Sequence, residues 1–326
     1  MRKYQTILCI SYITCVLLSL SGCSMLKKSK TYMVYSDSNR NVSFVEGSYH
    51  ARMGIVLDER EFFECDYEGN ELVRMVFDTD IVSLDMLYHY SLLGFEDNHV
   101  EKYYVTEKEC ILETEYSFQS SIKKTELTNT QSGSSEYGVA VLLENGEFWV
   151  SDKNGDIVLI EQNVKDFDYS ISSDVILYAK DSGELCCVSS RYTLDAEVMS
   201  LTNVSTIESA FFLSLRDENI RFRLMKENES LFIEVDKEHN RLSLCDLQPD
   251  IKPDMIFASK TIPEAVIYEA DGFFYYEGPS YNQRHSYGDK YRGRVKLSIP
   301  EGYNIHTIMG GVIFYNDHEV KVLLIN

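Results

Sequence analysis

One stretch of the chain gathers side chains suited to recognition. Pro279-Ser280-Tyr281-Asn282-Gln283-Arg284-His285-Ser286-Tyr287-Gly288-Asp289-Lys290-Tyr291-Arg292-Gly293-Arg294 is polar, aromatic and basic within a protein of formal charge −21. Arginine meets carboxylates and phosphates through paired hydrogen bonds, and tyrosine supplies rigid contact area. No apolar periodicity runs through the stretch, so it reads as a long exposed loop, and such loops are uncommon without a function. Tyr281, Arg284, Tyr287, Lys290, Tyr291, Arg292 and Arg294 are its candidate contact residues. The competing reading is a solvated loop whose arginines pair with the protein's own carboxylates.

Catalytic signatures do not accompany it. There is no His-Glu-x-x-His, no phosphate-binding Gly loop and no Gly-x-Ser-x-Gly. The seven histidines are scattered without ligand spacing. Asp152-x-Asn154-x-Asp156 has calcium-like spacing, but its glycine, Gly155, comes one position early and Asn163 stands where the loop needs a Glu. It reads as a hairpin turn, and no metal or cofactor is expected. With 52 Asp and Glu, no single pair can be picked out as a glycosidase pair. Tyr88-His89-Tyr90 is a candidate aromatic sugar platform, with core and surface packing as the plainer reading.

The amino terminus is more specific. Arg2 and Lys3 precede an apolar run from Ile7 to Leu20. About 14 helical residues span roughly 21 Å, short of a ~30 Å hydrocarbon core, so this is an export signal rather than a permanent span. It ends in Leu20-Ser21-Gly22-Cys23. That sequence resembles the lipobox of bacterial lipoproteins. The resemblance implies removal of residues 1–22 and a diacylglycerol on the Cys23 thiol. Residues 23–35, with Lys27, Lys28 and Lys30, read as a lipidated cysteine and basic tether, and residues 36–326 as the folded body.

Composition narrows the partner. Fifty-two acidic residues face 31 Lys and Arg, which argues against nucleic acid because phosphate binding needs a basic surface. Apolar residues make up 44% of the chain, with 23 Tyr and 16 Phe, enough for a large core. Cys65, Cys110, Cys186, Cys187 and Cys245 follow Cys23 without C-x-x-C spacing, and read as core or near-core thiols.

The elements that must position these residues are short strands. Val139–Leu143, Asn145-Gly146 and Glu147–Val150 form a hairpin, and Val175–Tyr178 with Glu184–Val188 repeat it around Gly183, 37 residues on. Phe211–Leu215 with Ile220–Phe222 reads as a third copy. Asn163-Val164 and Asn203-Val204 follow the first two, 40 residues apart. Weaker hairpins recur at 55–63, 231–244, 265–275 and 312–322. A period of about 35–45 residues with several strands per unit is the mark of a β-propeller. Residues 138–225 resemble blades of the chromosome-condensation-regulator type. That family's nucleotide-exchange role is not carried over. The expected fold is therefore all-β, propeller-like, with roughly seven blades. The alternative is two β-sandwich domains joined at Thr128–Ser135.

The expectation for function is a lipoprotein on the extracytoplasmic face of a bacterial cell membrane. It would be a scaffold for a protein or an envelope polymer rather than an enzyme. The alternative is a carboxylate-dependent enzyme acting on envelope glycans. A solute-binding lipoprotein fits poorly, since α/β alternation is missing.

Overall fold

The computed structural model of the chain describes residues 29–325, apart from 49–50, 107–108, 130–136, 153, 171–174, 190–197, 202–203, 212–219, 227–228, 237–240, 247–250, 259–264, 280–291 and 309. Among the described residues no helix is long and apolar enough to cross a membrane. The described secondary structure is strand throughout, twenty-eight strands in seven four-stranded antiparallel sheets.

The chain opens with β1 (Lys30–Ser36). The first complete sheet is β2 (Val42–Ser48), β3 (Arg52–Leu57), β4 (Glu61–Asp66) and β5 (Glu71–Val76). The second is β6 (Ile81–Leu87), β7 (Tyr90–Phe95), β8 (His99–Val105) and β9 (Cys110–Ser117). The third is β10 (Ile122–Asn129), β11 (Tyr137–Leu143), β12 (Phe148–Ser151) and β13 (Ile157–Glu161). The fourth is β14 (Val164–Ser170), β15 (Val175–Lys180), β16 (Glu184–Ser189) and β17 (Val198–Ser200). The fifth is β18 (Val204–Phe211), β19 (Ile220–Lys226), β20 (Glu229–Asp236) and β21 (Arg241–Leu244). The sixth is β22 (Ile251–Ala258), β23 (Val266–Ala270), β24 (Phe273–Pro279) and β25 (Arg292–Leu297). The seventh joins β26 (Asn304–Ile308), β27 (Gly311–Tyr315) and β28 (Glu319–Leu324) to β1. This is a seven-bladed β-propeller. Its ring is closed by the N-terminal strand, which pairs with β28 from Lys30↔Leu324 to Ser36↔Glu319.

The core is divided among the blades. Each hydrophobic cluster lies between two neighbouring sheets. Val56 and Phe62 of the first blade meet Ile81, Met86 and Leu93 of the second. Ala140 and Phe148 of the third meet Phe167 and Tyr178 of the fourth. Side chains alternate along a strand, so a middle strand serves two clusters. Ile176 and Tyr178 face the third blade while Val175, Leu177 and Ala179 face the fifth. Burial on both faces explains unbroken apolar runs such as Val139–Leu143 and Val175–Ala179. Outer strands such as β5 and β9 are half exposed, and their sequences read as polar.

The ring has two faces. The upper face carries the connections from first to second strand of each blade and from third to fourth strand of the first six; in the seventh, the end of β28 and the start of β1 lie there. The lower face carries the second-to-third turns and the links between blades.

Several expectations are corrected. Two sandwich domains are excluded by the closed ring, and Thr128 and Asn129 lie in β10 rather than in a linker. The proposed third hairpin copy is out of phase. Phe211↔Arg221 joins the first and second strands of its blade, whereas the hairpins at Gly146 and Gly183 join second and third. The in-phase copy is β19 with β20. Residues 30–35, assigned to the tether, belong to β1, because the open edge of β28 supplies a partner from the far end of the chain. The ends of the stretch 279–294, expected to be loop throughout, are strand. Pro279 pairs with Arg292, and Gly278 with Gly293, which extends β24 and β25.

Candidate functional site

The inner strands β2, β6, β10, β14, β18, β22 and β26 surround the axis, each leaving one edge unpaired within its sheet. An unpaired strand edge carries free N–H groups that need acceptors. Acidic side chains of the preceding blade supply them. Asp85 Oδ2 accepts the N–H of Leu127 at 2.5 Å, Glu126 Oε2 that of Tyr169 at 2.9 Å, and Asp166 Oδ2 that of Ile207 at 2.7 Å. Lys124 Nζ sits 3.0 Å from Glu126 and 3.5 Å from Asp166, and donates to the Phe167 carbonyl. Ser83 and Thr125 hydroxyls share a bond of 2.8 Å across the same boundary as Asp85. Between the last blade and the first, His306 Nε2 lies 3.0 Å from Glu46 Oε1.

The sequence reading missed these residues, although a signal exists. Val42, Ile81, Ile122, Val164 and Val204 each open an inner strand, and each is followed four residues later by an acid: Glu46, Asp85, Glu126, Asp168 and Glu208. An isolated acid in a strand reads as solvent-facing. The recurrence of that step in the first five blades is the signal; β22 and β26 carry Met255 and Ile308 there, and in the fourth blade Asp166, two residues before Asp168, accepts the next blade's N–H.

The lower-face turns add a second latch. The Asn163 carbonyl accepts the N–H of Asp181 and so closes the start of β14 against the end of β15. The Gly146 carbonyl accepts Val164 N–H at 3.0 Å, and the Gly183 carbonyl accepts Leu201 N–H at 2.7 Å. Both glycines hold positive φ, 83° and 88°. Glu59 and Asn98 take the same place at φ 63° and 73°, and their carbonyls accept Ile81 and Phe118 N–H. The Asn-Gly turn thus links blades as well as folding a hairpin.

Between the first two blades lies a buried ion pair. Arg52 Nη1 donates to Glu64 Oε1 at 3.0 Å and to the Val105 carbonyl at 2.7 Å, and Ser91 Oγ donates to Glu64 Oε2 at 3.0 Å. Glu64 is fully buried, and desolvation pushes its carboxyl up to about 7 against the pull of Arg52 and Ser91. Burial, with Arg52 nearby, holds His89 below the usual histidine range.

His89 leads to the aromatic cluster. Tyr88, at φ 55°, stacks on Tyr137 of the third blade with centroids 5.4 Å apart. Tyr90 packs on both Tyr137 and Tyr104. Lys102 Nζ lies over the Tyr90 ring, donates to the Tyr137 carbonyl at 2.7 Å and pairs with Glu113 at 3.2 Å. Burial, with Glu113 beside it, lifts Tyr90 to about 12. The protein's own lysine occupies this tyrosine cage, so Tyr88-His89-Tyr90 joins two blades rather than offering a bare platform.

The other candidates fall as follows. Asp152 Oδ1 accepts the N–H groups of Asn154 and Asp156, so the calcium-like spacing builds the turn between β12 and β13. Cys65, Cys186 and Cys187 are buried free thiols and Cys110 and Cys245 half-buried ones. Cys186 and Cys187 serve opposite faces of β16. Arg292 and Arg294 stand in β25, opposite Pro279 and Glu277. Cys23, Tyr281, Arg284, Tyr287, Lys290 and Tyr291 lie outside the described residues.

No family model matches the chain, and no curated protein matches it in sequence. Solved structures do match in fold. The β-propeller domain of Cps50 (Swd1) from Myceliophteria thermophila aligns with TM-score 0.58 at 12% identity, covering 91% of this chain and all of that one. The WD40 domain of SCAP from fission yeast aligns with TM-score 0.48 at 10% identity, over 91% of this chain and 98% of its own. At such identity the likeness concerns the fold alone.

Proposed function

We propose that the chain is a lipid-anchored scaffold on the extracytoplasmic face of a bacterial membrane, binding a protein or an envelope polymer. The observation that carries this reading is the ring closure. A strand beginning at Lys30, seven residues after the lipobox cysteine, completes the last blade. A lipid on Cys23 would thus hold a rigid propeller directly, and two acyl chains suffice for stable anchoring where one does not. Propellers present variable connections on a rigid frame, which suits them to binding.

The contact assigned to this scaffold is the segment from Tyr281 to Arg294, with Tyr281, Arg284, Tyr287, Lys290, Tyr291, Arg292 and Arg294 meeting carboxylates or phosphates. The likeness of residues 138–225 to chromosome-condensation-regulator repeats is one of hairpin pattern. No specific observation favours the glycan-enzyme reading. Asp85, Glu126 and Asp166 are committed to backbone N–H groups of the next blade, so acid–base work by them would open the ring.

Two measurements test the reading. Cys23→Ala should release the protein from the membrane fraction; equal retention of the variant defeats the anchor. Cross-linking pull-down from intact cells should recover a partner with wild type. It should fail with a variant in which Arg284, Lys290, Arg292 and Arg294 are alanine and stability is unchanged. Recovery of the same partner by both proteins would make the segment ordinary surface.

A further inference from the structure

We propose that the lower end of the axis, at Lys123 and Lys165, seats the C-terminal carboxylate of a partner protein's tail that carries lysine or arginine just behind it. This rests on the scaffold reading above and narrows it to a protein partner. It needs neither the lipid anchor nor the segment from Tyr281 to Arg294. Three observations carry it.

The first is backbone geometry. In five inner strands the second residue stands outside the ladder. The register slips between Val42 and Phe44, Ile81 and Ser83, Ile122 and Lys124, Val164 and Asp166, and Val204 and Thr206. An extra residue of this kind is a β-bulge, which re-aims a side chain. The inner strands begin on the lower face, so these bulges surround the lower end of the axis. In β10 and β14, on neighbouring blades, the extra residues are Lys123 and Lys165. Lys123 Nζ donates to the Lys165 carbonyl at 2.6 Å, so the two residues meet across the seam. Over the seven inner strands the second position holds lysine three times, Lys252 in β22 being the third, and otherwise Ser, Val or Ile. It never holds an acid, in a chain with 52 Asp and Glu against 31 Lys and Arg.

The second is uncommitted charge. In the first four blades Arg52, Arg60, Arg74, Lys102, Lys124 and Lys180 each form an ion pair with a carboxylate. Lys123 and Lys165 form none among the described residues, although Lys123 is exposed and Lys165 half-buried. Two neighbouring ammonium groups repel each other, and an anion held between them relieves that repulsion.

The third is what lies just outside them. Glu144 N–H donates to the Ser121 carbonyl at 2.9 Å, and Asp181 N–H to the Asn163 carbonyl at 2.8 Å. These exposed acids therefore stand beside the starts of β10 and β14 without pairing with either lysine. The surface is cationic at the axis and acidic next to it. A uniformly anionic polymer would meet the acids as well as the lysines. A peptide whose terminal carboxylate follows basic side chains complements both, and complementarity of this kind sets specificity.

The test uses the full chain, purified in detergent, and a fluorescein-labelled peptide ending in Lys-Gly-Lys-Ala with a free C-terminal carboxylate. Fluorescence anisotropy should show binding, and several-fold weaker binding of the C-terminal amide. Lys123→Gln and Lys165→Gln should each weaken binding several-fold, and the double variant should abolish it. Lys123→Arg and Lys165→Arg keep the charge and should keep the binding. Lys180→Gln removes a lysine of the same face that pairs with Glu161 and Glu184, and should change nothing. No binding by wild type, equal binding of acid and amide, or equal loss with Lys180→Gln overturns the proposal. Tighter binding of a polyglycerol-phosphate chain than of the peptide, lost in the same glutamine variants, gives the site to a polymer and overturns the peptide assignment. None of these outcomes touches the pull-down above, which tests the wider scaffold reading without changing either lysine.

Discussion

The carboxylate of Glu126 in the third blade accepts the backbone N–H of Tyr169 in the fourth at 2.9 Å, across 43 residues of sequence. Both residues are buried, and neither belongs to the other's sheet. Asp85 with Leu127 and Asp166 with Ile207 repeat the arrangement on either side. Cohesion between these blades is thus polar at the axis and apolar farther out.

Glu126→Ala removes the acceptor and leaves the Tyr169 N–H buried without it. Hydrogen bonds to charged groups contribute about 1.5–3 kcal/mol, and a loss in that range is expected. Glu126→Gln retains an acceptor oxygen and should lose less. Urea unfolding of the two variants checks the order; an unchanged midpoint for the alanine variant would show that the bond contributes nothing.

Glu64 predicts a pH dependence of stability. Burial lifts its folded value to about 7, above the unfolded value near 4.5. Between those limits the folded protein keeps a proton that the unfolded chain has released. Stability contributed by this site therefore falls as pH rises through the window, and flattens above it. The full effect is about 3 kcal/mol at ~1.4 kcal/mol per pKa unit. His89, held below the usual histidine range by burial, acts in the opposite sense. Comparison with Glu64→Gln largely cancels that contribution. The stability of wild type minus that of the variant should decline from pH 4.5 to pH 8; a flat difference contradicts the buried-carboxyl account.

Glu59 occupies a left-handed position, φ 63°, that Gly146, Gly183 and Gly272 occupy in other blades. A residue with a Cβ pays roughly 1–2 kcal/mol there. Glu59→Gly should therefore stabilise the protein by about 1 kcal/mol, offset in part by the greater freedom of the unfolded glycine chain. Its carbonyl should still accept the Ile81 N–H. Thermal unfolding, with amide exchange at Ile81, reports both effects, and a lower melting temperature would contradict the strain argument.

Local chemistry made part of this fold legible. Asn145-Gly146 and Ser182-Gly183 permit the positive φ that tight turns require, and the flanking runs are apolar throughout because both sheet faces are covered. Those features determined the strands, the period of about 40 residues and the expectation of about seven blades. The residues before Cys23 resemble an export signal and lipobox as a contiguous motif, and they lie outside the described residues.

Tertiary structure alone decided the rest. Which strand of a blade begins the repeat depends on the ring, so the hairpin ending in Phe222 was placed out of phase. The assignment of Lys30–Tyr35 to β1 needed a partner almost 300 residues away, which no local propensity encodes. Glu46, Asp85, Glu126 and Glu64 are not singled out by the sequence, because burial of a carboxylate is tolerable only with partners that another blade or strand supplies. The polar, basic composition of 279–294 reads as one loop, whereas the pairing of Pro279 with Arg292 places both ends of that stretch in β24 and β25.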